Sequence, residues 1–106
     1  MAKENNEAFL PDVFETQKNL GNLYFELRSF EKAEENYNEI LKIDPSYSSA
    51  WYGKACIESL RSNKENSIEF LKEAIKSDKD YVYLAKKEKK FDNIKDSTEF
   101  NDIIKQ

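Results

Sequence analysis

The stretch KNLGNLYFELRSFEKAEENY, residues 18–37, combines a helical pattern of apolar residues with an interior glycine. It places Gly21, one of only two glycines in 106 residues, inside an apparently helical run. Glycine in a helix interior costs roughly 1 kcal/mol relative to alanine, so the absence of a side chain should serve a purpose. We expect that purpose to be the close packing of two helices.

Apolar residues in this stretch recur at i, i+3, i+4 and i+7, which predicts a first helix over about residues 12–28. Its apolar positions are Leu20, Leu23, Tyr24 and Leu27. A second helix is predicted between Phe30 and the Asp44-Pro45 pair, because proline and the residue before it end a helix. The two should form a hairpin in which Leu20 and Tyr37 are buried.

The second half of the chain repeats this pattern at a shift of 34 residues. A third helix is predicted around Trp51 to Leu60 and a fourth around Ile68 to Ile75. The shift places small residues on small ones and apolar residues on apolar ones. The predicted packing residues are Gly21, Ala33, Ala55 and Ala74. Gly53 has no equally clear purpose and is expected only to leave a groove open beside Trp51. Repetition at this period is typical of stacked helical hairpins.

The sequence resembles the tetratricopeptide repeat family, whose unit has 34 residues. The first repeat, about 14–47, carries the family pattern at Leu20, Gly21, Tyr24, Ala33, Tyr37 and Asp44-Pro45. The second, about 48–81, matches at Trp51, Ala55, Leu71 and Ala74, but has Ser67 in place of alanine and Lys79 in place of proline. The resemblance implies an all-α fold, a short helical-hairpin solenoid.

The remainder of the chain is expected to complete one domain over residues 12–106. Residues 82–105 resemble the closing segment of repeat arrays, with a last helix from about Ser97 to Lys105 after a capping box at 96–99. Residues 1–11 are predicted to be a flexible N-terminal segment. Its Phe9 and Leu10 either dock on the open face of the first hairpin or serve self-association, and the sequence does not distinguish these alternatives.

Composition excludes several classes of function. The chain has no histidine and a single cysteine, Cys56, so we predict no catalytic residues, no metal site and no cofactor. Its 17 basic and 21 acidic residues are intermixed, which does not favour nucleic acid as a partner. No apolar run is long enough to cross a bilayer, and the N-terminus lacks a signal-peptide core. We therefore expect no membrane association and a cytoplasmic location.

The resemblance implies a non-catalytic protein-interaction module that binds a peptide or helix of another protein in a concave groove. The expected groove residues come from the first helix of each hairpin, with Lys86 or Lys87 reaching over from the following segment. They are Lys18, Asn22, Phe25, Ser49, Tyr52, Cys56 and Ser59. The alternative is a structural scaffold that self-associates, for example as a homodimer, because two repeats form only a shallow groove.

A more specific alternative is a carboxylate clamp. Lys18, Gly21, Asn22 and Phe25 reproduce the K-x-x-G-N-x-x-F opening of repeat domains that hold the C-terminal carboxylate of heat-shock chaperones. A lysine and an asparagine one helical turn apart both donate to one carboxylate. The sequence departs from that pattern at Gly53, where the clamp has asparagine, and in the third helix, which supplies only lysines.

Overall fold

A computed structural model describes residues 13–105 as a chain of helices. The helices are α1 (Val13–Glu26), α2 (Phe30–Ile43), α3 (Ser48–Leu60), α4 (Lys64–Ser77), α5 (Tyr81–Lys87), a 3₁₀ turn (Lys89–Phe91) and α6 (Thr98–Ile104). The described residues contain no strand, and the all-α class is confirmed. The expectations for residues 1–11, including those for Phe9 and Leu10, fall outside the described residues.

The turns within the two hairpins are copies of each other at the same 34-residue shift. Arg28 and Ser62 follow α1 and α3 in the left-handed region, with φ of 61° and 62°. The next amide then donates back across the turn, from Ser29 N to Tyr24 O at 2.8 Å in the first hairpin. In the second hairpin Asn63 N donates to Glu58 O at 2.8 Å. This is a Schellman ending, which satisfies the last carbonyls of each helix.

The turns that end α2 and α4 are also alike, although only one contains proline. Asp44 Oδ1 accepts a hydrogen bond from Ser46 N at 3.1 Å, and Asp78 Oδ1 accepts one from Asp80 N at 3.0 Å. Each aspartate holds the backbone two residues ahead, as Asx turns do. The aspartate therefore preserves the turn where Lys79 replaces the proline.

Tyr37 explains both glycines of the chain. Its ring is 1% exposed and lies between α1 and α3. A Cβ at Gly21 would come within 2.6 Å of Tyr37 Cε1, and a Cβ at Gly53 within 2.5 Å of Tyr37 Cζ. Both distances are shorter than a packed carbon contact, so each glycine leaves space for one edge of the ring. Gly53 therefore also has a packing role against Tyr37, besides the expected one of leaving a groove open.

In the second hairpin, the close contact between α3 and α4 joins two small residues and includes a hydrogen bond. Ser67 Oγ donates to the carbonyl oxygen of Ala55 at 2.7 Å, so α4 approaches the backbone of α3 at this pair. The predicted packing residue Ala55 therefore lies against Ser67, which occupies the position of Ala33 in the second hairpin. The other predicted packing residues, Ala33 and Ala74, are also completely buried.

The predicted apolar face of α1 is wrong in its orientation. Leu20, Leu23 and Leu27 are exposed at 39%, 54% and 65% of their surface, whereas Gly21 and Phe25 are buried. The physical reason is that α1 turns its Gly21 side towards α2 and α3, because only that side accommodates the Tyr37 ring. The leucines consequently lie on the side away from the hairpin core.

The C-terminal segment closes the other end of the solenoid. Four of its apolar side chains are buried at 3% exposure or less; these are Phe91, Ile94, Phe100 and Ile103. The last helix begins at Thr98, and the hydroxyl of Ser97 caps it by accepting a hydrogen bond from Phe100 N at 3.1 Å. The cap is therefore Ser97, one residue later than a capping box starting at Asp96 would have it.

Candidate functional site: a groove between α1 and α3

Six of the seven predicted groove residues line one open cavity of about 400 Å³ between α1, α3 and the segment after α5. They are Lys18, Asn22, Phe25, Ser49, Tyr52 and Cys56. The repeat explains their convergence, since Lys18 and Tyr52 occupy equivalent positions of α1 and α3, as do Asn22 and Cys56. Successive copies of one helix therefore present equivalent positions to the same side.

Ser59 does not line this cavity. The Ser59 side chain is fully buried. The side-chain amide of Asn93 donates to the backbone carbonyl oxygen of Ser59 at 3.0 Å. The C-terminal segment therefore covers the end of α3 that was expected to be open. Lys86 and Lys87 also do not line the cavity; Glu88 and Lys90 from the same segment do so instead.

Asn22 is held in one orientation by the buried tyrosine beneath it. The Tyr37 hydroxyl donates to Asn22 Oδ1 at 2.6 Å. That hydrogen bond occupies Oδ1, and no residue within 13–105 accepts a hydrogen bond from Nδ2. Because the exposed side chain lines the cavity, its Nδ2 hydrogens remain available to a ligand. Tyr37 itself lines the floor of the cavity, so one side chain fills the core and positions a polar group for a ligand.

The charges of the groove are balanced. Lys18 Nζ lies 2.9 Å from Glu15 Oε1, and this hydrogen bond raises the pKa of the lysine. Lys90 Nζ lies 3.6 Å from Glu88 Oε2 and 5.2 Å from the centre of the Phe25 ring. Glu26 adds a further carboxylate to the lining. A ligand would thus meet both signs of charge.

One wall of the groove is aromatic and rigid. The Tyr52 ring lies 4.8 Å from that of Tyr81 and meets the Phe91 ring edge-on at 5.5 Å. Burial raises the pKa of Tyr52, so its hydroxyl stays protonated at neutral pH. The wall therefore offers an apolar surface together with a neutral hydrogen-bonding group.

Cys56 contributes to this wall as a small apolar residue. Its side chain is 4% exposed, and burial raises the pKa of the thiol to about 12. A thiol becomes nucleophilic only as the thiolate, whose population is negligible at neutral pH with such a pKa. The structure thus places Cys56 in the groove without a reactive group.

Sequence reasoning missed Glu26, Glu88 and Lys90 as groove residues. The repeat register contained a signal for one of them, because Lys90 lies one shift of 34 beyond Cys56 and two shifts beyond Asn22. Glu88 had no such signal. It lies where α5 ends early and the chain turns into the 3₁₀ segment, which departs from the repeat.

Residues 13–105 show no cluster of cysteine, aspartate or glutamate side chains that could hold a metal ion. None of the helices described is both long and apolar enough to span a bilayer.

Comparison with protein families identifies two adjacent units. Two models, both described as tetratricopeptide repeat, match residues 14–47 and 48–81. A search of curated proteins and of solved structures finds no significant match. Repeats of this family are generally non-catalytic and serve protein–protein interaction. With two successive matches and the helical hairpins that correspond to them, the chain belongs to the tetratricopeptide repeat family.

Proposed function

We propose that the chain binds a peptide segment of another protein in the groove between α1 and α3. The observation that carries this proposal is the orientation of Asn22. Its side-chain oxygen Oδ1 accepts from the Tyr37 hydroxyl at 2.6 Å, and the exposed amide lines the cavity with its Nδ2 hydrogens unpaired within residues 13–105. A fixed donor of this kind suits a peptide carbonyl, because its ordering has already occurred before binding.

The lining also indicates the character of the ligand. Phe25 and Tyr52 provide apolar surface for one or two side chains. The two lysines of the lining are matched by two glutamates, Glu26 and Glu88, so the groove has no net charge. We therefore expect a peptide of mixed polarity with an aliphatic or aromatic anchor, rather than a strongly acidic one.

The test is selection from a displayed random-peptide library on the wild-type chain, followed by affinity measurement on three variants. Asn22→Ala removes the oriented donor and should weaken binding of the selected peptides by about five- to tenfold. Tyr37→Phe keeps the ring but frees the amide of Asn22, and should weaken binding by a smaller factor. Lys76→Ala changes an exposed residue of α4 outside the groove and is the matched control.

Peptides that bind all four proteins equally would locate the binding surface elsewhere and overturn the proposal. A selection that enriches no peptide from a large library would do the same. Circular dichroism and thermal unfolding of each variant establish that a lost interaction is not lost folding.

A second candidate, the carboxylate clamp, is favoured by the presence of Lys18, Asn22 and Lys90 around one cavity. Two features act against it. Both lysines already lie within 4 Å of a carboxylate of this chain. Gly53 supplies no side-chain donor where the clamp resemblance requires an amide, because the Tyr37 ring occupies that space.

The clamp is tested by comparing one selected or acidic peptide with a free C-terminus and the same peptide amidated. Charge-assisted hydrogen bonds to a terminal carboxylate predict a loss of at least about tenfold on amidation. Equal affinities for the two forms would show that the terminal carboxylate is not recognised. The clamp would then be rejected, and binding of a peptide segment without its C-terminus would remain as the proposal. Lys18→Ala should reproduce the effect of amidation only if the clamp operates.

A further inference from the structure

A stripe of exposed leucines runs along α1 on the side away from the hairpin core. Leu20, Leu23 and Leu27 are exposed at 39%, 54% and 65%. They follow the a, d, a spacing of a helix that packs against another helix. These three residues, which no element within residues 13–105 covers, form what we call the leucine stripe.

The second repeat shows what such a stripe does. One shift of 34 takes the leucine stripe to Lys54, Ile57 and Arg61, and Ile57 is completely buried. Lys54 Nζ donates to Asn38 Oδ1 of α2 at 2.7 Å. Arg61 Nη1 donates to Glu34 Oε1 of α2 at 3.0 Å. The equivalent side of α3 is therefore the surface that stacks on a neighbouring helix.

The difference between the leucine stripe of α1 and the equivalent side of α3 indicates what kind of helix would cover the stripe. In α3 the two outer positions are cations that pair with polar groups of α2, whereas in α1 both are leucine. A helix that covers the leucine stripe must then be apolar along its whole contact. A leucine stripe on a second copy of the chain meets this requirement.

The opposite end of the solenoid is a poorer match for the leucine stripe. Tyr83 and Leu84 of α5 are exposed there, at 65% and 52%. They are consecutive residues of a seven-residue helix, so they point about 100° apart and form no stripe. Pairing of one end with the other would also continue into an open chain, whereas pairing of two leucine stripes closes at a dimer.

The polar flank of the leucine stripe fixes the direction of pairing. Asn19 and Glu26 lie seven residues apart on the flank nearer the groove, and both are exposed. Within residues 13–105 neither side chain forms an ion pair or a hydrogen bond. When two α1 helices pair antiparallel, the same flanks meet, and the Asn19 amide lies opposite the partner's Glu26 carboxylate. An amide donates to a carboxylate, so this contact is favourable and occurs twice.

We propose that the chain forms a two-fold symmetric dimer through antiparallel pairing of its leucine stripes, with the Asn19 amide donating to Glu26 across the interface. A single pair of short helices buries less surface than a standard interface, so the dimer is weak, with a dissociation constant on the order of 10 μM. The two proposals share Glu26, which also lines the groove. The leucine stripe itself does not line the groove, so the inference does not rest on the proposed peptide binding.

The first test is sedimentation of the full chain from about 1 to 500 μM. Wild type should convert from monomer to dimer, and Leu23→Glu should remain a monomer throughout. Leu84→Glu is the matched control, because Leu84 is about equally exposed at the other end, and this variant should dimerise as wild type does. Circular dichroism verifies that both variants fold.

Several outcomes of this test would overturn the proposal. One is a wild type that stays monomeric at the highest concentration, and another is a dimer that Leu84→Glu abolishes. Species larger than a dimer would indicate head-to-tail association instead. A loss of folding stability in the monomeric Leu23→Glu variant would identify an occupant within the same chain, such as residues 1–12.

The second test is specific to the antiparallel arrangement. Asn19→Lys places an ammonium opposite each Glu26 and should strengthen dimerisation about threefold or more, whereas Asn19→Glu places like charges there and should weaken it about tenfold. Adding Glu26→Lys to Asn19→Glu restores opposite charges at both contacts and should recover at least wild-type affinity. Ser77→Lys and Ser77→Glu make the same changes of net charge at an exposed position of α4 and should have no effect.

Failure of the double variant to recover affinity would overturn the antiparallel pairing. So would a dimer that Leu23→Glu abolishes but that neither substitution of Asn19 alters. Peptide affinity measured on Leu23→Glu separates this inference from the groove proposal, because Leu23 does not line the groove.

Discussion

The first and second hairpins share their backbone but differ in how they fill it. Where α1 and α2 meet, Gly21 faces the large Tyr37. The equivalent positions of the second hairpin carry Ala55 and the smaller Leu71, and both are fully buried. The hairpin with the smaller residue on its first helix therefore has the larger residue on its second helix. The comparison teaches that the repeat conserves the combined volume of two positions rather than the identity of either.

Removing the larger partner should have the greatest effect. Tyr37→Ala is expected to lower the free energy of unfolding by about 3–5 kcal/mol, because it leaves a cavity facing two glycines. Leu71→Ala should cost less, about 2–4 kcal/mol, because Ala55 carries a methyl group towards that site. Urea unfolding followed by fluorescence of Trp51, the single tryptophan, measures both.

A Tyr37→Ala loss no larger than that of Tyr37→Phe would contradict this account. The phenylalanine variant loses only the hydrogen bond to Asn22 and should cost about 1 kcal/mol.

The second prediction exchanges the packing of one hairpin for that of the other. Gly21→Ala should destabilise by about 1–3 kcal/mol, because the ring cannot move away while Gly53 and Asn22 hold its other edge and its hydroxyl. Adding Tyr37→Leu creates the combination found in the second hairpin. The loss of stability in the double variant should be smaller than the sum of the two single losses by about 1 kcal/mol or more.

Additive losses in that cycle would show that the two positions do not share one volume. Gly53→Ala combined with Tyr37→Leu extends the cycle to the other glycine and should show coupling of the same sign.

The third prediction contrasts Asn22 with Cys56, which occupy the same position of the two repeats. The pKa of the Cys56 thiol is raised from its ordinary value of 9.0 to about 12 by burial, so folding favours the protonated thiol. This contribution is complete below about pH 9 and is lost as the pH rises towards 12. Between about pH 8 and 10.5, wild type should lose about 2 kcal/mol more stability than Cys56→Ala.

Asn22→Ala should not change the slope of stability against pH, because an amide does not titrate. Equal slopes for wild type and Cys56→Ala would mean that the thiol is solvated in the folded protein.

The smallest predicted effect concerns the matching turns. Ser62 adopts φ of 62°, a conformation that glycine reaches at lower cost. Ser62→Gly should therefore stabilise the protein by about 0.5–1 kcal/mol, and Arg28→Gly should act similarly in the first hairpin. A destabilised Ser62→Gly variant, measured by the same urea unfolding, would contradict the expected benefit.

Much of this architecture was predictable because the same pattern of small and apolar residues occurs in two copies, and each copy supports the interpretation of the other. The shift of 34 located both hairpins, and six of the seven residues that the family resemblance implied for a groove line one cavity. The orientation of α1 did not follow, because a stripe of leucines has the same periodicity whether it faces a core or a missing neighbour. Ser59 was misplaced for another reason. The segment that covers it, near Asn93, departs from the repeat and had no template in the sequence.

The Tyr37 hydroxyl ties two properties of the molecule together. The same side chain supports the scaffold and holds the Asn22 amide of the proposed peptide groove, so selection on one property would also act on the other. Diversification of this domain towards new targets should therefore proceed through the rim, at Ser49 and Lys90, while the tyrosine and its two glycines change only in concert.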